Sequence, residues 1–225
     1  METRELNIIC DSLQGLQRKE NCDGFTVIED RDYSLILLFD GVSSYENSPV
    51  GIKKIIKGMK ENHRSYFHDS GYFLKEALGD MHDILRVSDM DGMFTTVCAL
   101  YLPRDIKKPA KFSHLGDSRI YSYVSGNLTL ETEDHNVSEL PHVLTKCLGL
   151  ETLKVLDFYE KEIEAGSKEG FLLCTDGFYP VFQNSMVDYI KTAFFEQGTF
   201  VKKIIRNNLE FKNFDDATYV IVTIE

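Results

Sequence analysis

Two apolar runs, each too short for a helix and each ending in Asp-Gly, constrain the fold of this chain more than any other feature. The first is Ser34-Leu35-Ile36-Leu37-Leu38-Phe39-Asp40-Gly41 and the second is Gly170-Phe171-Leu172-Leu173-Cys174-Thr175-Asp176-Gly177. Runs of this length bounded by a turn signal suit buried strands whose last residues reach a sheet edge. Two such strands bring two carboxylates to one place, which makes Asp40 and Asp176 the first candidates for an active site. Asp-Gly is a common turn dipeptide, so either one alone reads as a turn.

The remaining segments predict strands and helices in pairs. Residues 6–18 read as a short strand and a loop, and 25–28 with 34–40 as a hairpin across a charged turn. Pro49 opens a helix over 50–62 with Ile52, Ile55, Ile56 and Met59 on one face and lysines in water. A second helix over 72–87 places Phe73, Leu74, Ala77, Leu78, Met81, Ile84 and Leu85 on one side, and the two should lie together against a sheet. Residues 94–102, 111–124 and 128–130 read as an antiparallel meander. A short helix is expected up to Leu148, a strand at 155–159, helices at 186–195 and 200–208, and a last strand at 218–224 preceded by Asp215-Asp216. Runs of strands separated by helix pairs favour an α+β fold of two packed, mainly antiparallel sheets with helices outside. At 225 residues, 43% of them hydrophobic, the chain fits one domain, 1–225.

Composition narrows the partners. A formal charge of −11 argues against nucleic acid or an anionic membrane, either of which favours a basic face. No apolar run approaches the roughly 18 residues of a membrane span, and Met1-Glu2-Thr3-Arg4-Glu5 does not open a secretory signal. The expectation is a soluble, cytoplasmic protein. Five scattered cysteines without a CxxC pair indicate neither a disulfide framework nor a zinc site. Cys98, Cys147 and Cys174 sit in apolar runs and read as core thiols.

Carboxylates gathered at strand ends repel one another, and a cation stabilises such a cluster. Asp40, Asp176 and Asp215 would make an oxygen-only site suited to Mg²⁺ or Mn²⁺ rather than zinc. Two such ions could turn a water into a nucleophile and hold a phosphoryl oxygen. Other signals are weaker. Asp89-Met90-Asp91-Gly92 has the Asp-x-Asp of aspartate-nucleophile phosphatases, but it follows a helical pattern and lacks their threonine. Gly116-Asp117-Ser118-Arg119 is not the G-x-S-x-G elbow, and an Asp117–Arg119 pairing network is expected there. Of the six histidines, only Asp134-His135 stands in suggestive company.

The order of these motifs resembles the metal-dependent protein phosphatases, the PPM or type 2C serine/threonine phosphatases, over almost the whole chain, and the small size suggests a bacterial member. Residues 14–25, with Arg18 and Asn21-Cys22-Asp23, look like the family's opening arginine and Asn-Glu-Asp segment. Asp40-Gly41, Thr95-Thr96, Gly116-Asp117-Ser118-Arg119, Asp134-His135, Leu144-Thr145-Lys146-Cys147-Leu148-Gly149, Thr175-Asp176-Gly177 and Asp215-Asp216-Ala217-Thr218 follow in the family's order.

The resemblance implies an α-β-β-α sandwich. It also implies that Asp40 bridges two Mn²⁺ or Mg²⁺ ions, that the Gly41 carbonyl serves one and that Asp176 and Asp215 serve the other. Arg18 would hold the substrate phosphate by a charge-assisted fork, and Asp91 falls where the family often has an aspartate for a third ion. The implied reaction is hydrolysis of phosphoserine or phosphothreonine in a phosphorylated protein by metal-activated water. The sequence also departs from the pattern. Cys22 replaces the glutamate, Val42 stands where some members carry a histidine, Ser43-Ser44 replace glycines, and Phe94 replaces a glycine. The stretch from Leu150 to Gly170 is short. These departures leave open an alternative, a pseudophosphatase acting as a regulatory binding module on the same fold.

Overall fold

The absence of alternation in the two apolar runs has a direct cause: each strand is covered on both faces. In the computed structural model, which describes residues 3–68, 71–88, 90–164, 168–210 and 212–224, residues 33–39 are buried without a break. Leu35, Leu37 and Phe39 face a core shared with two helices, while Ile36 and Leu38 face a second sheet. The downstream run repeats the arrangement, with Phe171 and Leu173 turned between the sheets and Leu172 and Cys174 turned toward a second helix pair. A strand enclosed in this way is apolar at every position rather than at every second one.

The elements in chain order are β1 (Leu6–Leu13), β2 (Asp23–Glu29), β3 (Tyr33–Asp40), α1 (Ser48–Asn62), β4 (Phe67–His68), β5 (Gly71–Tyr72), α2 (Leu74–Arg86), β6 (Val97–Pro103), β7 (Ala110–Leu115), β8 (Arg119–Val124), β9 (Asn127–Leu130), β10 (Asn136–Val137), β11 (Leu140–Leu144), β12 (Lys161–Ile163), β13 (Gly170–Cys174), α3 (Tyr179–Phe182), α4 (Met186–Phe195), α5 (Gly198–Leu209) and β14 (Ala217–Ile224). One sheet has the order β12-β7-β6-β3-β2 and the other β1-β14-β13-β8-β9, with antiparallel pairing throughout both. Ile52, Ile55 and Met59 of α1 and Leu78, Met81 and Leu85 of α2 cover the first sheet. Tyr189, Ile190, Val201 and Ile205 of α4 and α5 cover the second. The result is the expected α+β sandwich of two mainly antiparallel sheets between helix pairs. Among the described residues, no helix is long and apolar enough to cross a membrane.

Three local expectations are overturned. The strand expected over 111–124 is two strands in different sheets, β7 and β8, joined by Gly116-Asp117-Ser118. Gly116 has φ +103°, and a Cβ there would strike Thr96, so the chain crosses between sheets where only glycine fits. The helix expected up to Leu148 is instead the small β10–β11 pair followed by an irregular stretch. The strand expected at 155–159 is a 3-10 turn over Val155–Asp157, and the strand comes later as β12. In both cases short apolar runs lacked enough periodicity to separate helix, strand and turn.

Candidate metal centre

Asp40 ends β3, and its backbone is held on both sides. Its N–H donates to Thr96 Oγ1 at 3.0 Å, and its carbonyl accepts from the Thr96 N–H and the Thr95 hydroxyl, each at 2.9 Å. Thr96 Oγ1 in turn lies 2.8 Å from Ser118 Oγ, linking β3 to the crossover that carries Asp117. Asp176 lies two residues beyond β13. A Cβ on Gly177 would run into the backbone carbonyl of Asp216, so glycine is what lets these two acidic loops close on each other. Asp23 stands opposite Asp40 in the β2–β3 register and accepts from Thr175 Oγ1 at 3.0 Å. Asp216 is a structural anchor: it accepts from the backbone N–H of Gly15 at 2.7 Å and of Cys22 at 2.8 Å, pinning the loop that carries Arg18.

Six carboxylates thus gather against one guanidinium, and the energetics show it. Burial, then the neighbouring Asp23, Asp176 and Asp117, push the Asp40 carboxyl well above the usual range. Asp176 is itself raised, by burial first and then by Asp215. Burial pushes Asp23 up to about 8 and Asp117 up to about 6. Like charges taken out of water without a counter-ion take up protons.

A cavity of about 510 Å³ opens over the cluster and is lined by Arg18, Asp40, Gly41, Asp117, Asp176 and Asp215 together with Tyr45, Phe94 and His142. The structure therefore brings together Arg18, Asp40, Gly41, Asp176 and Asp215. Asp91 is exposed, with its carbonyl bonded to the Asn47 side chain, and does not line this cavity; Asp89 lies outside the described residues. Sequence reasoning missed Asp117 as a member of the cluster. It also expected Asp117 to pair with Arg119, whereas Arg119 forks onto Asp134 at 3.0 and 2.7 Å and stacks 3.7 Å from the Tyr179 ring centroid. The Asp134-His135 pair thereby clamps the crossover: the Gly116 N–H donates to His135 Nδ1, and the His135 N–H donates to the Gly116 carbonyl. Cys22 is buried, and burial pushes its thiol up to about 11, which disfavours the reactive thiolate.

Among the described residues, no three His, Cys, Asp or Glu side chains stand placed to hold an ion as they are, and Arg18 engages Asp215 through Nε at 2.5 Å and through Nη2. By chemistry the carboxylate set does fit: it is all oxygen, and its charge is relieved only by protons and one arginine. Hard divalent cations take such ligands.

No protein-family model matches the sequence, and no curated protein matches it. Solved structures do. A bacterial serine phosphatase is 17% identical with a TM-score of 0.77, covering 99% of this chain and 98% of that one. The Stp1 serine/threonine phosphatase of Staphylococcus aureus is 18% identical with a TM-score of 0.72, covering 100% and 98%. The catalytic domain of the serine threonine protein phosphatase PstP, in complex with two manganese ions, is 20% identical with a TM-score of 0.71, covering 99% of each chain. This chain has the fold of the bacterial serine/threonine phosphatases, over its whole length, as the order of its motifs implied.

Proposed function

We propose that the protein is a metal-dependent serine/threonine phosphatase that hydrolyses phosphoserine or phosphothreonine in protein substrates. The observation that carries this reading is the convergence of Asp40, Asp176, Asp215 and Arg18, from four separate segments of the chain, on one cavity. Asp40, the Gly41 carbonyl, Asp176 and Asp215 would hold two Mn²⁺ or Mg²⁺ ions, a reading supported by the two manganese ions of PstP. Bound there, the ions would supply Lewis acidity and an activated water. The residues of the chain orient the substrate. Arg18 Nη1 donates to Ser43 Oγ at 2.6 Å, which keeps the guanidinium at the cavity wall. A phosphate there would take the fork that Asp215 now accepts. For a third ion, Asp91 remains a candidate from the sequence, while Asp117 is the carboxylate that lines the cavity.

One observation favours a second reading, a pseudophosphatase that binds without turnover: Asp215 is committed to Arg18, and Cys22 supplies a buried thiol where a glutamate was expected. Phosphate release from a phosphothreonine peptide, with and without Mn²⁺, separates the two. Metal-dependent turnover in the wild type that disappears in Asp40→Asn supports the enzyme. Folded protein with no turnover under either condition supports the binding module.

A further inference from the structure

Hydrolysis of a phosphoserine or phosphothreonine ester expels an alkoxide, a strongly basic leaving group that departs readily only when it receives a proton. The cavity wall restricts which side chain can give it, because the carboxyls of Asp40, Asp117, Asp176 and Asp215 would be ionised with cations bound among them. Arg18 is engaged with Asp215 and Ser43, and a guanidinium does not give up its proton. Burial pushes the Cys147 thiol up to about 12. Ser43, Ser44 and Thr96 are weakly acidic hydroxyls, and Tyr45 is a phenol set edge-on to Phe94 at 4.6 Å. His142 is the one imidazole among the described residues of the wall. It is exposed on β11 and lines the same cavity as Asp40, Asp176 and Asp215, so a bound substrate can reach it. Burial and Asp215 push Asp176 up, while Asp40, Arg18 and His142 pull it down, so the imidazole lies within electrostatic reach of the cluster. Imidazole is also the side chain suited to proton exchange near neutrality.

We infer that His142 is the general acid of this site, donating its proton to the departing seryl or threonyl oxygen. As a water oxygen bonds to phosphorus, the bond from phosphorus to the ester oxygen breaks and its electron pair stays on that oxygen. The oxygen takes the imidazolium proton; the water's surplus proton passes to solvent, from which the neutral imidazole is recharged. The products are the free hydroxyl and hydrogen phosphate.

This rests on the phosphatase reading, and the test separates the two. With Mn²⁺ present, wild type, His142→Gln and His142→Ala are compared on a phosphothreonine peptide and on p-nitrophenyl phosphate, whose leaving group needs no proton. The expected result is a kcat loss of about 10²-fold on the peptide, little change on the aryl ester, and recovery of peptide turnover by His142→Ala in added imidazole. Mn²⁺ affinity by calorimetry should match the wild type. Equal losses on both substrates, no loss on the peptide, or weakened Mn²⁺ binding overturns the inference while leaving the phosphatase intact. A folded wild type inactive on both substrates overturns both.

Discussion

Arg18 and Asp215, 197 residues apart, form a two-point fork in which Nε donates to Oδ1 and Nη2 to Oδ2. The same carboxylate is a candidate ligand of the metal centre, and the same guanidinium a candidate for the substrate phosphate. Each partner therefore occupies the other's functional group, and binding of a cation or a phosphate must compete with the pair.

That competition predicts opposite effects of one substitution. Arg18→Gln releases Asp215 and removes a positive charge beside the cluster. Charge-assisted hydrogen bonds contribute about 1.5–3 kcal/mol, but both side chains are about one-third exposed, at 31% and 39%, so the lower end applies. Mn²⁺ should bind about tenfold tighter, and KM for a phosphopeptide should rise. Calorimetry showing unchanged or weaker Mn²⁺ binding would show that the pair does not gate the metal.

The carboxylate cluster predicts an inverted pH dependence in metal-free protein. Asp23, at about 8, holds a proton in the folded state at pH values where the unfolded chain has released it, and burial shifts Asp40 in the same direction. A folded-state value above the unfolded one contributes stability at low pH that is lost as pH rises. Between pH 8 and 6.5, above the range of the histidines, chemical denaturation should therefore show stability increasing on acidification, by about 2 kcal/mol for each such proton. Asp23→Asn should flatten the trend, and saturating Mn²⁺ should reverse it, because protons then compete with the ion.

The parts of this fold that were legible in the sequence were those with an unambiguous physical pattern. The enclosed strands β3 and β13 announced themselves by unbroken apolar runs, and α1, α2, α4 and α5 by their helical spacing. That Arg18, Asp40, Asp176 and Asp215 meet at one cavity was legible because they follow one another in a recognisable order of motifs. Asp117 was missed because its meaning depends on the chain changing sheets at Gly116, a tertiary fact invisible in a stretch that alternates like one strand. The place of His142 in the cavity wall was not legible because β10 and β11 pair over too few residues to leave a pattern, and a lone histidine in such a segment reads as a surface residue.

His114 predicts acid sensitivity of the opposite sign. It is buried on β7, stacked on His135 with ring centroids 4.7 Å apart, with Nε2 lying 2.8 Å from the Glu133 carbonyl. Burial, the dominant cause, lowers it from 6.5 to about 4. The folded state keeps it neutral where the unfolded state would charge it, so this contribution is complete above 6.5 and lost as pH falls toward 4. The size is about 3 kcal/mol. His114→Gln, neutral throughout, should lose less stability than the wild type over that interval; parallel curves would mean that the imidazole is not held neutral.

Two glycines provide a matched test of how tightly the acidic loops are closed. A Cβ at Gly177 would meet the Asp216 carbonyl, which belongs to the backbone and cannot turn aside, whereas a Cβ at Gly79 in α2 would meet nothing within 4 Å. Gly177→Ala must separate the loop of Asp176 from that of Asp215, at a cost of about 1–3 kcal/mol, and it should weaken Mn²⁺ binding because two proposed ligands move apart. Gly79→Ala should instead stabilise the protein by about 0.5–1 kcal/mol, the usual gain of alanine in a helix interior, and leave Mn²⁺ affinity unchanged. Thermal unfolding and calorimetry on the two variants therefore read the same substitution with opposite signs. If Gly177→Ala lost stability without loss of metal binding, the closure of these loops would serve the fold alone, and the pairing of Asp176 with Asp215 around a common ion would fail.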